Sequence, residues 1–270
     1  LGLVLSGYNH KYVKVMFRGK HLRASSVLRS EGLKPHVLQP KEAMALTNGA
    51  TLMLAFMALA VHDARDLLAM GTINAALGVE AIRGEMNAFD ARIHEARRQV
   101  GQIEVAKQMR LLLYGSNRVT KKAQAIRFPD EKKKKGDRVQ DPYSTRCMPQ
   151  AHGAVADVIC AAWNVVEREL NAATDNPLIF ENPDGTFDVL SGGNFHGDTL
   201  AVWADGLKLV MTKLASIAER RFYGLINSDQ SNGLPQDLSG TRAQDNTGLM
   251  IVRYNGASRV AGSQMISFPG

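Results

Sequence analysis

The chain has 270 residues, of which 45% are hydrophobic and 22% charged, enough to bury a substantial core and ordinary for a globular protein. Its two cysteines exclude a disulfide-stapled scaffold and favour a reducing, cytoplasmic setting, and the longest apolar stretch, Leu52 to Val61, is too short to span a bilayer. The net charge of +7 is largely local, in Lys121, Lys122 and Lys132 to Lys135; no aromatic residues interleave there, so the run reads as a solvated loop and not as a nucleic-acid surface.

Taken in order, Tyr12 to Lys20 reads as a short hairpin arm after Gly7. Glu42 to Ala76 is rich in Ala, Leu and Met and reads as a long helix with weak points at Gly49 and Gly71. Asp130 to Arg138 reads as an exposed linker. In Ala154 to Leu170, Val155, Val158, Ile159, Ala162, Val165, Val166 and Leu170 recur at helical spacing. Leu178 to Phe180 and Phe187 to Leu190 flank Asn182-Pro183-Asp184-Gly185, two short strands around a turn. Thr199 to Ile226 repeats the helical pattern through Val202, Leu207, Leu209, Val210, Leu214, Ile217 and Ala218. The expectation is an all-α fold, an elongated bundle of long helices with one or two short β-hairpins. Residues 1–270 read as a single central helical region without a domain boundary, with apolar faces left for other subunits.

Chemistry concentrates where the helical pattern breaks. Val139-Gln140-Asp141-Pro142-Tyr143-Ser144-Thr145-Arg146-Cys147-Met148-Pro149-Gln150 packs an amide, a carboxylate, a phenol and a guanidinium between two prolines. Such groups need partners once buried, so the segment suits a pocket lining better than a core. Arg146 offers a planar fork for a carboxylate, or a partner for Asp141 that fixes the loop. Tyr143 is a proton-transfer candidate, given a cation or helix end beside its phenol. Gln140 can touch a ligand or orient the loop. Three more stretches share this character: Gln39 to Gly49, Asn171 to Ile179 and Ser191 to Gly197. Asn48 interrupts an apolar helix, as a polar site residue or as a kink. Asn171, Asp175 and Asn176 are expected to cap a helix and bridge backbone groups. Phe195 stands among glycines that permit close approach. His196 reads as a structural histidine, and none of the seven histidines has metal-ligand spacing, so no metal is expected.

In order and spacing these four motifs resemble the histidine and aromatic amino acid ammonia-lyases over nearly all of the chain. The resemblance implies a fumarase/aspartase-like helical fold and elimination of ammonia from a small L-amino acid. Histidine giving urocanate comes first, with a tyrosine or phenylalanine lyase, or an aminomutase, as alternatives. It implies a 4-methylidene-imidazol-5-one electrophile made from Ala-Ser-Gly, no metal, and a homotetramer with shared active sites. Arg146 would hold the carboxylate, Tyr143 assist proton transfer and Asn48 lie beside the electrophile and the amine. Gln140 and Phe195 would line the pocket, with Asn176 near the substrate. The chain contains no Ala-Ser-Gly; Leu5-Ser6-Gly7, Leu190-Ser191-Gly192 and Leu238-Ser239-Gly240 come nearest. Family order places the tripeptide and a tyrosine loop upstream of Leu1, and an acidic or amide segment beyond Gly270. Three positions depart from the family pattern: Arg98-Gln99-Val100 replaces Pro-His before Gly101-Gln102, Arg253 replaces Gln, and Gly262 replaces Glu. A scaffold homologue without an electrophile is the alternative outside enzymes.

Overall fold

A computed structural model describes residues 2–125, 140–240 and 246–268. The Lys132 to Lys135 run and the Asp130 to Arg138 linker lie outside the described residues. The structure is predominantly helical, with two antiparallel hairpins. Backbone contacts gather into two compact units: Leu1–Ala55 with Glu169–Thr199, and Phe56–Arg168 with Leu200–Gly270.

The first unit contains α1 (Gly2–Leu5), the hairpin β1 (Lys14–Phe17) and β2 (Lys20–Arg23), α2 (Ala24–Ser30) and α3 (Glu42–Asn48). Arg18 and Gly19 both take positive φ, 48° and 75°, as a tight two-residue hairpin turn requires. The helix expected from Glu42 to Ala76 is two helices. Gly49 adopts an extended backbone (φ −84°, ψ 156°), α3 stops at Asn48, and α4 (Thr51–Ala81) begins two residues after Gly49. Thr47 contributes locally, since its hydroxyl donates back to the Ala43 carbonyl at 2.9 Å.

The second unit holds most of α4, a 3-10 turn (Met86–Phe89), α5 (Ala91–Arg97), α6 (Val100–Leu112), α7 (Lys121–Ala125), the one-turn α8 (Tyr143–Arg146) and most of α9 (Met148–Leu170). After the hairpin β3 (Leu178–Glu181) and β4 (Phe187–Leu190) of the first unit come α10 (Asp198–Ile226), a short 3-10 turn (Gln236–Leu238) and α11 (Met250–Ile266). The β3–β4 register pairs Leu178 with Leu190 and Glu181 with Phe187. Its turn is closed by Asp184, whose carboxylate accepts from the Thr186 N–H at 3.0 Å.

The core of the second unit includes Ala75, Ala76 and Val79 of α4, Phe89 of the 3-10 turn, Val105 and Met109 of α6, and Leu113, Val119 and Met148. Helices α6 and α9 cross with their backbones in contact. A Cβ on Gly101 would strike the Gly153 carbonyl, and one on Gly153 would strike the Gln102 backbone nitrogen. Asp157, one turn along α9, accepts the Gly101 N–H at 2.9 Å and so caps α6 from outside. Gly71, a weak point by propensity, does not interrupt α4; it leaves space for Leu214 and His152.

Two buried histidines brace this core. The Ala88 carbonyl can only accept, so His94 donates through Nε2 (3.1 Å) and its Nδ1 accepts from the Gln102 amide at 2.9 Å. His152 is fully buried, with Nδ1 3.1 Å from the Thr72 hydroxyl. Burial first, and the Arg221 charge second, push its pKa from 6.5 down to about 3. Among the described residues no single helix is long and apolar enough to cross a membrane.

Gly153→Ala should cost at least ~3 kcal/mol, because neither backbone can yield without opening the crossing; denaturant unfolding measures this. An unfolded His152 binds its proton near 6.5 and the folded one only near 3. The unfolded state therefore holds more protons between those values, and stability should fall as pH drops from about 6.5 towards 3. Urea midpoints across that window should fall less steeply in His152→Gln.

Candidate active site

The segment that opens the chemistry in the sequence folds as a tethered single turn. Asp141, only 4% exposed, points its Oδ2 at the Glu85 N–H (2.7 Å) and fixes the entry to α8. Pro142 precedes the turn with an extended ψ of 151°, and its carbonyl accepts from Thr145 and Arg146. Gln140 is an exposed bend just before Asp141. Asp141 does not pair with Arg146. Instead the Arg146 guanidinium lies over the Tyr143 ring, 4.5 Å from its centroid, while its Nε is buried without a hydrogen-bond partner. The Tyr143 side chain is largely open, the residue being 70% exposed.

Tyr143 borders a cleft of about 640 Å³ lined by Cys147, Gln150, Lys213, Arg220 and Tyr223. Gln150 brings a buried amide oxygen with no hydrogen-bond partner. Tyr223 is flanked by Arg220 (5.1 Å) and Arg253 (4.7 Å), and Arg220 is held by the largely buried Glu219, with Nη2 2.6 Å from Oε1. Arg253, a departure from the family pattern, thus stacks on a cleft residue. The cleft combines a phenol, several cations and amide groups, a set suited to a small anionic or zwitterionic ligand. A second groove of about 750 Å³ runs along α4, α10 and α11; Met57, Leu67, Met70, Leu207, Met211 and Ile266 make it mainly apolar, without comparable chemistry.

The other three motifs meet in the first unit. Lys41, at the start of α3, forms an ion pair with Asp175 at 2.8 Å and donates to the Pro177 carbonyl. That ammonium, with the Asn176 N–H, holds the Asp175 carboxyl below its usual range. The Asn176 Oδ1 accepts from the Gly192 N–H (2.7 Å) and the Ser191 hydroxyl (3.2 Å). Asn194 donates to the Ala173 carbonyl at 3.2 Å, and Gly197 packs against Met53 and Ala50. Asn176 bridges backbone as the sequence implied, so its amide oxygen is committed to the loop. Asn48 is exposed at the end of α3, not enclosed among apolar residues, and among the described residues its amide meets the Met44 sulfur alone, at 4.0 Å. Phe195 is 37% exposed in the glycine-rich loop. His196 is also exposed, 3.5 Å from the Asp198 carboxylate. Among the described residues no cluster of His, Cys, Asp or Glu is arranged to hold a metal.

The structure therefore brings Gln140, Tyr143 and Arg146 together in one unit, and Asn48, Asn176 and Phe195 in the other. Sequence reasoning missed Lys41 and Arg221. Lys41 left a signal: a cation at a helix N-terminus opposes the helix dipole and needs another task. Arg221 left one too, since it continues the buried row Leu200, Leu207, Leu214 at seven-residue spacing.

The profile of the aromatic amino acid lyase family matches residues 1–270. A histidine ammonia-lyase of Alkaliphilus oremlandii is 39% identical over 256 residues, covering 95% of this chain and 47% of the relative. Among solved structures, histidine ammonia-lyase from Trypanosoma cruzi superposes with a TM-score of 0.81 at 34% identity, over 100% of this chain and 47% of that one. Tyrosine aminomutase from Streptomyces globisporus superposes with a TM-score of 0.85 at 31% identity, over 98% of this chain and 50% of that one. The chain spans about half the length of the curated relatives it matches. With four motifs in family order and a helical fold shared with these enzymes, the chain belongs to the aromatic amino acid lyase family.

Proposed function

We propose that the full-length protein is an ammonia-lyase that converts an L-amino acid, histidine first, into the trans-α,β-unsaturated acid, urocanate in that case. The observation that carries this reading is the Tyr143–Arg146 pair, with Tyr143 lining a cleft that carries Lys213, Arg220 and Gln150, in a chain about 40% identical to histidine ammonia-lyases. The Arg146 guanidinium takes the substrate carboxylate in a two-pronged bond. The Tyr143 hydroxyl handles the proton at the β-carbon. Asn48 accepts from the substrate amine, while Gln140 and Phe195 shape the pocket and Asn176 holds the loop that carries Phe195.

The reading requires a methylidene-imidazolone from Ala-Ser-Gly, a tripeptide these 270 residues do not contain. That group supplies the electron sink that no standard side chain offers. The residues at hand fit such a neighbour: an exposed Asn48 amide and a half-exposed Phe195 ring stand in the unit wired through Lys41. A homotetramer with shared sites belongs to the same proposal. Leu52, Phe56, Leu59, Met70 and Leu77 all expose apolar surface on α4, as a subunit contact would need. So does a cytoplasmic setting, in which Cys147 and Cys160 are free thiols. The likeness to a tyrosine aminomutase favours one second reading, in which ammonia is re-added to the unsaturated acid.

The deciding experiment is an ultraviolet assay of the full-length protein with L-histidine, L-tyrosine and L-phenylalanine in turn. Urocanate absorbance supports the first reading, and a β-amino acid product moves the assignment to an aminomutase. An intact oligomer that makes no product from any of the three overturns the lyase. In the active protein, Tyr143→Phe should lower kcat at least ~100-fold with the fold retained. Arg146→Ala should act mainly through KM, raising it ~10- to 100-fold; steady-state kinetics on each variant checks both.

A further inference from the structure

The best-buried Lys or Arg among the described residues of the second unit has no part in the mechanism above. Arg221 of α10 is 5% exposed and occupies the position that Leu214, Leu207 and Leu200 occupy one, two and three heptads earlier. A leucine-like residue there would complete an apolar row at lower cost, because a guanidinium loses its hydration on burial. Among the described residues no carboxylate pairs with it. Burial lowers its pKa to about 10, so it remains a cation at neutral pH. Its one hydrogen bond runs from Nη1 to the Ser144 carbonyl at 3.2 Å, across 77 residues of sequence, while Nη2 is buried without a partner. Helix α4 makes room for the side chain at Gly78, where a Cβ would stand 3.0 Å from Arg221 Cδ and 3.4 Å from Cγ.

We infer that Arg221 is a positioning residue, which sets Tyr143 and Arg146 by holding the Ser144 carbonyl that lies between them. Four residues of helix cannot hold their own shape, since one turn fixes several dihedrals for few hydrogen bonds. Helix α8 has only the bonds of Thr145 and Arg146 to the Pro142 carbonyl and of Cys147 to the Tyr143 carbonyl. Asp141 anchors its entry and Met148, fully buried, its exit. Arg221 anchors the middle. Rotation of the Ser144 peptide would turn the proton-handling phenol and the carboxylate fork together, so one tether serves both.

The inference rests on the proposed function for its kinetic readout, though not for its structural one. In the full-length protein, Arg221→Met should lower kcat and raise KM, each by about tenfold or more, since misplacement near 1 Å costs on the order of a hundredfold. A loss of folded protein lowers the apparent kcat and leaves KM alone, so the joint change is the signature. Arg221→Lys, which retains a donor, should recover part of both. Amide hydrogen exchange across residues 143–147 should quicken in Arg221→Met, whatever the substrate. An unchanged KM with unchanged exchange at 143–147 overturns the tether. If Arg221→Met fails to fold, Gly78→Ala displaces the same side chain without removing a polar group, and the same two readouts decide. Should the unaltered protein turn over no amino acid, the proposed function fails, while the exchange measurement still decides the role of Arg221.

Discussion

Helices α6 and α9 touch through bare backbone at Gly101 and Gly153, and the site-bearing half of the molecule is arranged around that contact. No side chain intervenes, so the crossing cannot relax by repacking. Asp157 ties the same point by capping α6, and Gln102, one residue on, donates to Nδ1 of the buried His94. Because α9 is pinned there, its first turn at Met148 is pinned as well. Helix α8 ends immediately before it, so Tyr143 and Arg146 inherit their place from a contact seven or more residues away. Asp141 accepts the Glu85 N–H at the entry to that turn, and Arg221 donates to the Ser144 carbonyl within it.

The first unit solves a similar problem with charge. A helix end and two loops carry its functional candidates, and loops need their backbone groups satisfied. Lys41 reaches both the Asp175 carboxylate and the Pro177 carbonyl, and Asn176 carries the connection to Gly192. The exposed Asn48 and Phe195 thus stand on a cross-linked support. Asn48, Tyr143 and Phe195 are all exposed, so each is open to a ligand.

Much of the fold was legible because its causes are local. The β3–β4 strands follow from the Asn182 to Gly185 turn, and α9 and α10 follow from apolar spacing that only a helix can place on one face. The break at Gly49 was visible as a weakness and Gly71 looked like an equal one. Which would break was undecidable locally, since Gly71 is covered by Leu214 and His152 from distant helices and Gly49 has no such cover. The same limit applied to Arg146: both Asp141 and a carboxylate ligand were plausible partners in sequence, and the structure turns Asp141 to the Glu85 backbone instead.

By itself, then, the sequence determined the helices α9 and α10, the two hairpins, the residue types of the site and the family. Each is written in periodicity or in a contiguous motif. Only the tertiary structure decided that Arg221 lies inside, that Lys41 ties its own motif to the Asn171 to Ile179 stretch, and that Asn176 spends its oxygen on the loop. The physical reason is distance along the chain. Lys41 and Pro177 are 136 residues apart, and Arg221 and Ser144 are 77 apart. Whether a charge is solvated or buried depends on what folds over it, a property of the packed chain that no local stretch carries.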